Sequence, residues 1–564
     1  MPFMLVETSA IALDKHANNR GDNMETYQDI VKNFSWEEVL KTYDWNPNEK
    51  FNMAHEACDR WAKDPNRVAV YWEDESGRKE VWTFRQLKEK SDQMANLLRS
   101  YGVKKGDRVA GLLGKDMELL LTVLATWKIG AIYVPLFTAF GPEALTHRLV
   151  DCDCKVIVTN TEQAKKIEQK DIHIINIDAT FQNGLSFWDF LDTFPKEHVT
   201  EPTQLMDPST IQYTSGSTGL PKGATWGHKI LVSIYPYQKY AMGTVETDRV
   251  FGGADFGWSF GLIQCTIAPL SMGASVLVYK GKFDVKKTYQ LMQDYNITSF
   301  AFAPTAYRAM MAEGSEIIQN YRLQVRKFSS AGEPLNAEVI RFFKKNFDRE
   351  IYDHYGATET GMIINNYNAT DMEVKPGSMG FPCPGYDIGL IDDKGNEVKD
   401  GEIGEIAVSR DSFPFYFLGY WNNPEKTEEK MRGKWMLSGD LAYKDKNGYF
   451  WFEGRSDDII TSSGYRIGPF EVESSLVEHP AVKEVAVVGK PDEKKGEIVK
   501  AFVVLTDQYK DKASKDLEKE LSMYVREKLS KHEYPREIEF LEDLPKTQSG
   551  KIQRFRLKNM MQQS

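Results

Sequence analysis

The stretch from Tyr213 to Gly223 combines residue types that suit an anion better than a strand or a helix face. It holds three glycines, four serine or threonine hydroxyls and one lysine, Lys222. Glycines open backbone conformations that let amide groups converge, and the hydroxyls and the ammonium group add donors, so the loop could cradle a phosphate. A Walker A loop has glycine before its lysine and serine or threonine after it, whereas Lys222 stands between Pro221 and Gly223, so ordinary P-loop chemistry is not indicated. From this stretch alone, a polar linker is the alternative.

Alternating patterns of helix and strand predict the scaffold that presents this loop. Residues 209–213 form a short strand pattern that leads into it, and from about 84 to 310 amphipathic helices alternate with short β-branched strands. Such alternation predicts parallel sheets covered by helices. Earlier in the chain, residues 36–65 carry helical spacing, and the segments 68–72 and 79–83 flank a turn and predict a hairpin.

The composition changes twice toward the C-terminus, and both changes predict boundaries. After about residue 380, glycine and proline punctuate short strands, which predicts a β-rich subdomain over about 380–456. A polar turn at 454–458 then separates a strand pattern from a final segment with both strand and helix patterns. We therefore predict an N-terminal domain over 1–456 and a small α+β C-terminal domain over 457–564.

Composition and charge exclude several classes of protein. The chain has 564 residues, 41% of them apolar and 27% charged, with a net charge of −11 that disfavours nucleic acid as a partner. The five cysteines are sparse and odd in number, which argues against a disulfide framework and for a reducing compartment. No signal peptide is evident, and the apolar stretch 119–137 is interrupted by Lys128, Gly130 and Pro135, so we interpret it as a buried helix followed by a strand. A cytoplasmic protein is expected.

Seven signatures in a fixed order resemble the AMP-forming acyl-CoA synthetases of the adenylate-forming (ANL) superfamily, with acetyl-CoA and medium-chain acyl-CoA synthetases as the most similar branch. They span most of the chain and are the loop at 213–223, Gly332-Glu333-Pro334, the segment 355–360, Ser438-Gly439-Asp440, the segment 454–458, Ser463-Gly464-Tyr465-Arg466 and the segment 545–552. The resemblance implies the ANL fold, in which a large α/β N-terminal domain has two helix-covered sheets plus a β-rich subdomain, and a small mobile C-terminal α+β domain follows.

The resemblance implies a two-step reaction that uses ATP, Mg²⁺ and coenzyme A. A carboxylate attacks the α-phosphorus of ATP, and the CoA thiolate then attacks the acyl-adenylate and releases AMP. Both partners in the first step are anions, so catalysis rests on positioning and charge neutralisation. As in the family, Glu359 would hold Mg²⁺ on the phosphates, Thr358 would contact the α-phosphate, and Asp440 would accept the ribose hydroxyls. The full set implied for ATP and AMP is Thr214, Ser215, Gly216, Ser217, Thr218, Gly219, Lys222, Gly332, Glu333, Pro334, Asp353, His354, Tyr355, Gly356, Ala357, Asp440, Arg455 and Arg466.

The implied catalytic cation is Lys551, which would bridge the substrate carboxylate and the α-phosphate during adenylation. It must leave before CoA reaches the carbonyl, and Asp457 matches the family's hinge for that domain movement. The residues implied for CoA are Ser463, Gly464, Tyr465, Lys495, Tyr534 and Arg536. A structural cation site, matched by Val477, His479 and Val482, is a further expectation, although a histidine after a helix is more often an ordinary surface residue.

The acyl pocket is where the sequence departs from the acetate enzymes. Those carry tryptophan where Gly356 stands, so glycine is expected to leave room for several more carbons. By position in the family pattern, the pocket is lined by Trp258, Ser259, Phe260, Ala331 and Gly356, and the ring of Phe260 could refill part of the space. An apolar lining suits a short-branched to medium-chain carboxylic acid, since each buried methylene is worth about 0.8 kcal/mol.

Several alternatives stay open at this level. One is an acetyl- or propionyl-CoA synthetase, and another, from a different class, is a catalytically silent nucleotide-binding homologue. An amino-acid-activating domain is disfavoured because Phe260 stands where an acidic residue would hold the substrate ammonium. The family also implies enzymes that acylate and deacylate Lys551 as possible partners, whereas the oligomeric state and the physiological acid stay open.

Overall fold

The computed structural model describes residues 25–214, 221–333, 335–456, 458, 460–462, 465–492, 495–529, 533–546 and 552–563. Within these ranges the strands are β1 Val68–Asp74, β2 Lys79–Thr83, β3 Arg108–Leu112, β4 Ile132–Pro135, β5 Cys154–Thr159, β6 His173–Asn176, β7 Pro208–Thr214, β8 Lys222–Gly227, β9 Arg249–Gly252, β10 Ser275–Lys280, β11 Ser299–Phe302, β12 Lys327–Ala331, β13 Ile351–Ala357, β14 Gly361–Asn365, β15 Ser378–Pro382, β16 Ile388–Ile391, β17 Gly404–Ser409, β18 Phe417–Tyr420, β19 Met431–Arg432, β20 Trp435–Lys444, β21 Phe450–Arg455, β22 Ile460–Ser462, β23 Tyr465–Ile467, β24 Val482–Asp492, β25 Gly496–Leu505 and β26 Glu537–Phe540.

The α-helices fall between these strands in the alternation that the sequence predicts. They are α1 Tyr27–Asn33, α2 Trp36–Leu40, α3 Met53–Ala57, α4 Phe84–Ser100, α5 Met117–Lys128, α6 Pro142–Asp151, α7 Thr161–Ala164, α8 Phe187–Leu191, α9 Ile230–Ser233, α10 Ala268–Ser271, α11 Val285–Asp294, α12 Pro304–Ala312, α13 Ala337–Phe347, α14 Pro424–Glu428, α15 Pro469–Val477, α16 Lys515–Lys528 and α17 Arg554–Gln563. A buried π-helical segment, Phe260–Ile267, runs into α10.

The strands form three sheets. The largest has the order β16-β17-β20-β21-β15-β14-β13-β12-β11-β9-β10-β1-β2, with β19 paired to β20; the second has the order β18-β8-β7-β4-β3-β5-β6. The strands from β13 to β1 in the first sheet, and those from β7 to β6 in the second, run parallel, as the sequence predicts. The predicted hairpin is β1–β2, and the β-rich segment after 380 continues the first sheet instead of forming a separate one. The predicted fold is therefore confirmed.

Helix α5 is buried against the second sheet and is hydrogen-bonded to it. Its residues are almost all apolar and buried, and the indole of Trp127 donates to the carbonyl oxygen of Ser209 on β7 at 2.9 Å. At its end, the buried Lys128 ammonium lies 2.7 Å from Asp59 and 2.5 Å from Asp92. Each large apolar side chain buried in this way contributes about 1.5–3 kcal/mol, so β7, which leads into the candidate phosphate loop, has a rigid base.

A third sheet, β23-β22-β25-β24 with β26 beside β25, builds the C-terminal part of the chain with α15, α16 and α17. It contacts the N-terminal part where the ring of Phe470 on α15 meets that of Phe452 on β21, with centroids 6.1 Å apart. Glu453 lies on β21 beside Phe452, and burial, followed by the charges of Glu471 and Glu533, raises its pKa to about 7. The predicted boundary after residue 456 stays a prediction, and Asp457 lies outside the described residues.

Two other expectations concern cysteines and membranes. All five cysteines are free and buried, and the expected reducing compartment stays a prediction. The apolar stretch 119–137 is divided into α5 and β4, as predicted. Among the helices that the structure describes, none is long and apolar enough to cross a bilayer.

Candidate active site

The candidate phosphate loop connects two adjacent antiparallel strands. Thr214 ends β7 and Lys222 begins β8, and the two residues face each other across the pair. The Thr214 hydroxyl lies 3.5 Å from the carbonyl oxygen of Lys222. Ser215, Gly216, Ser217, Thr218 and Gly219, which carry most of the predicted phosphate contacts, lie outside the described residues. The base of the loop is therefore described, and the contacts of the loop itself stay predictions.

The turn between β13 and β14 carries Thr358 and Glu359 and lies close to Lys222. The Tyr420 hydroxyl on β18 donates to Glu359 Oε1 at 2.6 Å, and the Lys222 ammonium lies 5.4 Å from the centroid of the Tyr420 ring. The Tyr416 hydroxyl lies 3.4 Å from the carbonyl oxygen of Thr358. The structure thus places Glu359, the predicted metal ligand, at the hydroxyl of Tyr420 and Lys222, the predicted phosphate lysine, over its ring. The spacing of these residues in the sequence did not indicate this arrangement.

Asp440, the predicted ribose ligand, sits in a defined hydrogen-bonding environment. It lies in β20 opposite Arg455 in β21, and Arg455 Nη1 is 3.7 Å from Asp440 Oδ1. The Tyr355 hydroxyl donates to Asp440 Oδ2 at 2.7 Å. Burial, followed by the charge of Asp440, holds the pKa of Tyr355 well above its usual value, so this hydroxyl stays a donor. The sequence suggested Tyr355 as a stacking face, whereas the structure also gives it a polar contact with Asp440, the predicted ribose ligand.

The predicted adenine-binding residues lie on or just after two neighbouring parallel strands. Ala331 at the end of β12 faces His354 in β13, so Glu333, which follows β12, and Asp353, which lies within β13, are both near the carboxyl end of β12, where ligands of open α/β sheets bind. Glu333 pairs with Arg308 at 3.0 Å. Pro334 lies outside the described residues.

Two titratable groups in this segment are perturbed by burial. Burial raises the pKa of Asp353 to about 8 and lowers that of His354 to about 3. His354 Nδ1 lies 3.0 Å from the Tyr237 hydroxyl. A carboxyl that stays protonated near neutral pH and a neutral imidazole suit an uncharged heterocycle better than a cation.

The predicted acyl-pocket residues cluster, and most are apolar. Phe260 and Ala331 belong to one buried cluster with Tyr237 and Met362, and the indole of Trp258 packs against it. Ser259 is buried, with its hydroxyl 3.2 Å from Gln264 Oε1. The following π-helical turn is of a kind that often marks functional sites. The arrangement fits an apolar pocket wall, while the pocket assignment itself stays a prediction.

The space around Gly356 differs from what the sequence predicts. A Cβ atom at this position would lie 2.1 Å from the Gly361 carbonyl oxygen and 2.8 Å from Met362 Cα, because β13 and β14 approach closely beside a bulge. The space on the side-chain side of Gly356 is therefore filled by main chain, and the expectation that glycine leaves room there for more carbons is wrong. Glycine is required at this position because two strands almost touch. Whether Gly356 borders the acyl group on its other side stays a prediction.

The predicted catalytic and CoA residues of the C-terminal part are described unevenly. Lys551, Ser463 and Gly464 lie outside the described residues, and only the main chain of Tyr465 and Arg466, in β23, is described. Lys495 is half-buried, and its amide donates to Asp492 Oδ1 at 2.9 Å. The Arg536 guanidinium lies 4.0 Å from the centroid of the Tyr534 ring, so these two predicted CoA residues are in contact.

The contacts of Arg554 indicate which part of the N-terminal domain lies near the start of α17. It begins α17 and holds Glu473 through two contacts of 2.6 and 2.8 Å. The charges of Glu473, Asp458 and Glu333 raise its pKa in spite of burial. Since Glu333 belongs to the predicted adenine segment and its charge acts on Arg554, α17 begins near the predicted nucleotide site.

The predicted structural cation site has a different set of contacts. His479 Nδ1 accepts the amide of Ala481 at 3.2 Å, and Nε2 lies 3.3 Å from Glu520 Oε1. The carbonyl oxygen of His479 accepts the amide of Val482 at 2.9 Å. In the ranges that the structure covers, no three metal-ligating side chains come together. A cation held by the main chain of Val477, His479 and Val482 stays a prediction.

Comparison with known proteins shows the family to which the chain belongs. The family model "AMP-binding enzyme" matches residues 58–421, and the model "AMP-binding enzyme C-terminal domain" matches residues 471–551. The chain is 40% identical over 549 residues to the acetyl-coenzyme A synthetase of Bacillus subtilis (strain 168), covering 95% of both chains. It is 35% identical to the mitochondrial acyl-coenzyme A synthetase ACSM3 of Rattus norvegicus, covering 94% of both. The crystal structure of the Brucella canis acyl-CoA synthetase superposes with a TM-score of 0.75 at 38% identity, covering 96% of this chain and 99% of the other.

Fold and comparisons together define an adenylate-forming enzyme with a large N-terminal α/β domain and a smaller C-terminal domain. The chain belongs to the AMP-binding enzyme family and, within it, to the AMP-forming acyl-CoA synthetases, which are acid–thiol ligases that use ATP and CoA.

Proposed function

We propose that this chain converts a short-branched to medium-chain carboxylic acid into its CoA thioester. The observation that supports this substrate class is the apolar cluster behind the predicted acyl site, where Phe260, Ala331, Met362 and Tyr237 are all buried. Gln212 on β7 donates to the Gly257 carbonyl oxygen at 3.0 Å, which ties the acyl loop to the strand that carries the phosphate loop. Such a wall stabilises bound apolar carbons. It would not compensate a second carboxylate on the substrate for its lost hydration.

The first half-reaction follows from the charges around the nucleotide. A substrate carboxylate oxygen attacks the α-phosphorus, a P–O bond forms, and the bond to pyrophosphate breaks. In our proposal the loop at 214–222 holds the leaving phosphates, Asp440 holds the ribose, and Lys551 offsets the repulsion between the two reacting anions. In the second half-reaction the CoA thiolate attacks the acyl carbonyl, the bond to AMP breaks, and AMP leaves with its phosphate.

A magnesium ion fits the residues beside the phosphates. Glu359 is half-exposed, and its Oε1 accepts the Tyr420 hydroxyl, so Oε2 is the carboxylate oxygen that would hold the metal. A carboxylate oxygen is the ligand type that Mg²⁺ prefers. When bound, Mg²⁺ supplies charge neutralisation on the phosphates. We propose that Glu359 holds it, and we further propose a reducing, cytoplasmic setting, which the five free cysteines support.

A panel of acids tests the substrate class. We expect kcat/KM, read by AMP formation with CoA present, to rise from acetate to butyrate, methylbutyrates and hexanoate, because each methylene buried in the apolar wall contributes about 0.8 kcal/mol, or about fourfold. Equal or better activity on acetate than on the longer acids would contradict the proposal.

Acetate or propionate is the second candidate, and two observations favour it. The main chain of β14 fills the space beside Gly356 that would otherwise lengthen the pocket. The similarity to an acetyl-coenzyme A synthetase points the same way. In this case kcat/KM would peak at two or three carbons, and Phe260→Ala, which removes a buried ring from the wall, would move the peak to longer acids.

A further inference from the structure

Strand β18 lies in sequence between β17 and β19, which belong to the first sheet, but it is part of the second sheet. It pairs antiparallel with β8, so Gly419 faces Thr225 and Tyr420 faces Ala224. Since β8 begins at Lys222, this pairing brings Tyr420 to the base of the phosphate loop. Tyr420 is 6% exposed, and its ring is therefore held by packing on nearly all sides.

Tyr420 is fixed from its main chain as well as from its ring. Its amide donates to the Thr427 hydroxyl at 2.8 Å, and that hydroxyl in turn donates to the Asn423 carbonyl oxygen at 3.0 Å, at the start of α14. The preceding Gly419 has φ +112°, and a Cβ there would lie 3.1 Å from the same Thr427 hydroxyl. The close approach of α14 thus sets the position of Tyr420 before any ligand binds.

The hydroxyl of Tyr420 points at one carboxylate. It donates to Glu359 Oε1 at 2.6 Å, within the short range of hydrogen bonds to an ionised acceptor. The hydroxyl is the donor in this contact, because a carboxylate oxygen can only accept. A carboxylate held through one oxygen has a defined orientation for the other.

We propose that Tyr420 is a positioning residue of the metal–nucleotide site: its hydroxyl orients Glu359 through Oε1, so that Oε2 is the oxygen that would hold the metal of the nucleotide. The inference rests on the proposed role of Glu359 as the metal carboxylate. The ring of Tyr420 also lies against Lys222, so one side chain connects the anionic and the cationic contacts of the same phosphates.

The test measures nucleotide binding without turnover. The dissociation constant of ATP is measured by calorimetry in the absence of acid and CoA, once with Mg²⁺ and once with EDTA. We define the gain from metal as the dissociation constant in EDTA divided by that in Mg²⁺. Tyr420→Phe keeps the ring and removes the hydroxyl. We expect the gain to fall about tenfold, as for the loss of a hydrogen bond to a charged group, while binding in EDTA stays within about twofold.

A matched control exists elsewhere in the chain. The Tyr295 hydroxyl donates to the buried Glu73 Oε2, also at 2.6 Å, remote from the predicted nucleotide residues. Tyr295→Phe removes the same kind of bond and should leave the gain from metal unchanged. Comparing the thermal midpoints of the two variants separates loss of stability from loss of metal response.

Two outcomes would overturn the inference. An unchanged gain in Tyr420→Phe would mean that the hydroxyl does not orient Glu359, and a larger gain would mean that it competes with the metal for this carboxylate. Glu359→Gln separates the inference from its premise. If that variant keeps the full gain, the proposed metal role of Glu359 fails; if it loses the gain while Tyr420→Phe keeps it, the positioning role alone fails.

Discussion

Replacing Asp440 with asparagine tests the nucleotide site at its best-described point. The carboxylate accepts the Tyr355 hydroxyl at 2.7 Å and faces Arg455 at 3.7 Å, and its side chain is 14% exposed. Asparagine keeps the shape, removes the charge, and offers one acceptor oxygen where the carboxylate offers two. The ribose hydroxyls would therefore lose one charge-assisted bond and find the second acceptor replaced by a donor.

The size of the effect follows from these two losses. A hydrogen bond to a charged group is worth about 1.5–3 kcal/mol and a neutral one about 0.5–1.5 kcal/mol, so the two changes together cost about 2–4 kcal/mol. ATP should then bind about 30- to 1000-fold more weakly. Retained contacts of the phosphates are expected to keep binding measurable.

The assay compares ATP with its 2′-deoxy and 3′-deoxy analogues by calorimetry. The natural enzyme should bind each analogue at least about tenfold more weakly than ATP, whereas Asp440→Asn should bind all three within about twofold, because the group that reads the hydroxyls is impaired. Asp445→Asn is the control: this carboxylate, just after β20, accepts the amide of Tyr449 at 3.0 Å and should not affect the discrimination. If Asp440→Asn discriminates as well as the natural enzyme, Asp440 is not the ribose ligand.

Three further predictions concern stability, pH and charge. Lys128→Met should lower the free energy of unfolding in urea by about 3–5 kcal/mol, because it leaves Asp59 buried without this cation and Asp92 with Lys88 as its remaining ion-pair partner; a loss under about 1 kcal/mol would contradict this. The pKa of Glu453 rises from its usual 4.5 to about 7 in the folded protein, so stability should fall as pH rises from 4.5 through 7, by about 1–2 kcal/mol after solvent screening, and Glu453→Gln should flatten that part of the thermal midpoint curve. Acylation of Lys551, or Lys551→Gln, should slow pyrophosphate release about 10²- to 10³-fold while acyl-CoA formation from preformed acyl-adenylate stays within about threefold; equal loss of both steps would refute the proposed role.

The fold could be predicted from the sequence to a large extent because its signals are local. The alternation of patterns before residue 310 predicts the parallel strands, and the glycine and proline residues after 380 predict the short strands there, although not that these strands continue the first sheet. The segment 119–137 divides into α5 and β4 because polar and glycine residues interrupt it. These features depend on neighbours within about a dozen residues, so periodicity and turn chemistry capture them.

Other features depend on contacts between distant parts of the chain. Nothing in the residue spacing around Tyr420 shows that β18 pairs with β8 in the second sheet. That pairing brings the Tyr420 hydroxyl to the carboxylate of Glu359, 61 positions away in sequence. The same holds for Gly356: the family pattern suggested empty space, whereas the bulged pairing of β13 with β14 fills it with main chain. Register and close backbone approach are set by packing, which a local pattern does not encode.

The central claim is that the acid attacks the α-phosphorus of ATP, and isotope transfer tests it most directly. The acid is labelled with ¹⁸O in both carboxylate oxygens and incubated with ATP, Mg²⁺ and CoA, and the products are read by ³¹P NMR and mass spectrometry. Attack at the α-phosphorus places one carboxylate oxygen on AMP, and thiolysis then breaks the bond between the acyl carbon and that oxygen. We predict one ¹⁸O per AMP and unlabelled pyrophosphate. Unlabelled AMP, or label in inorganic phosphate with ADP as the other product, would contradict the proposed chemistry.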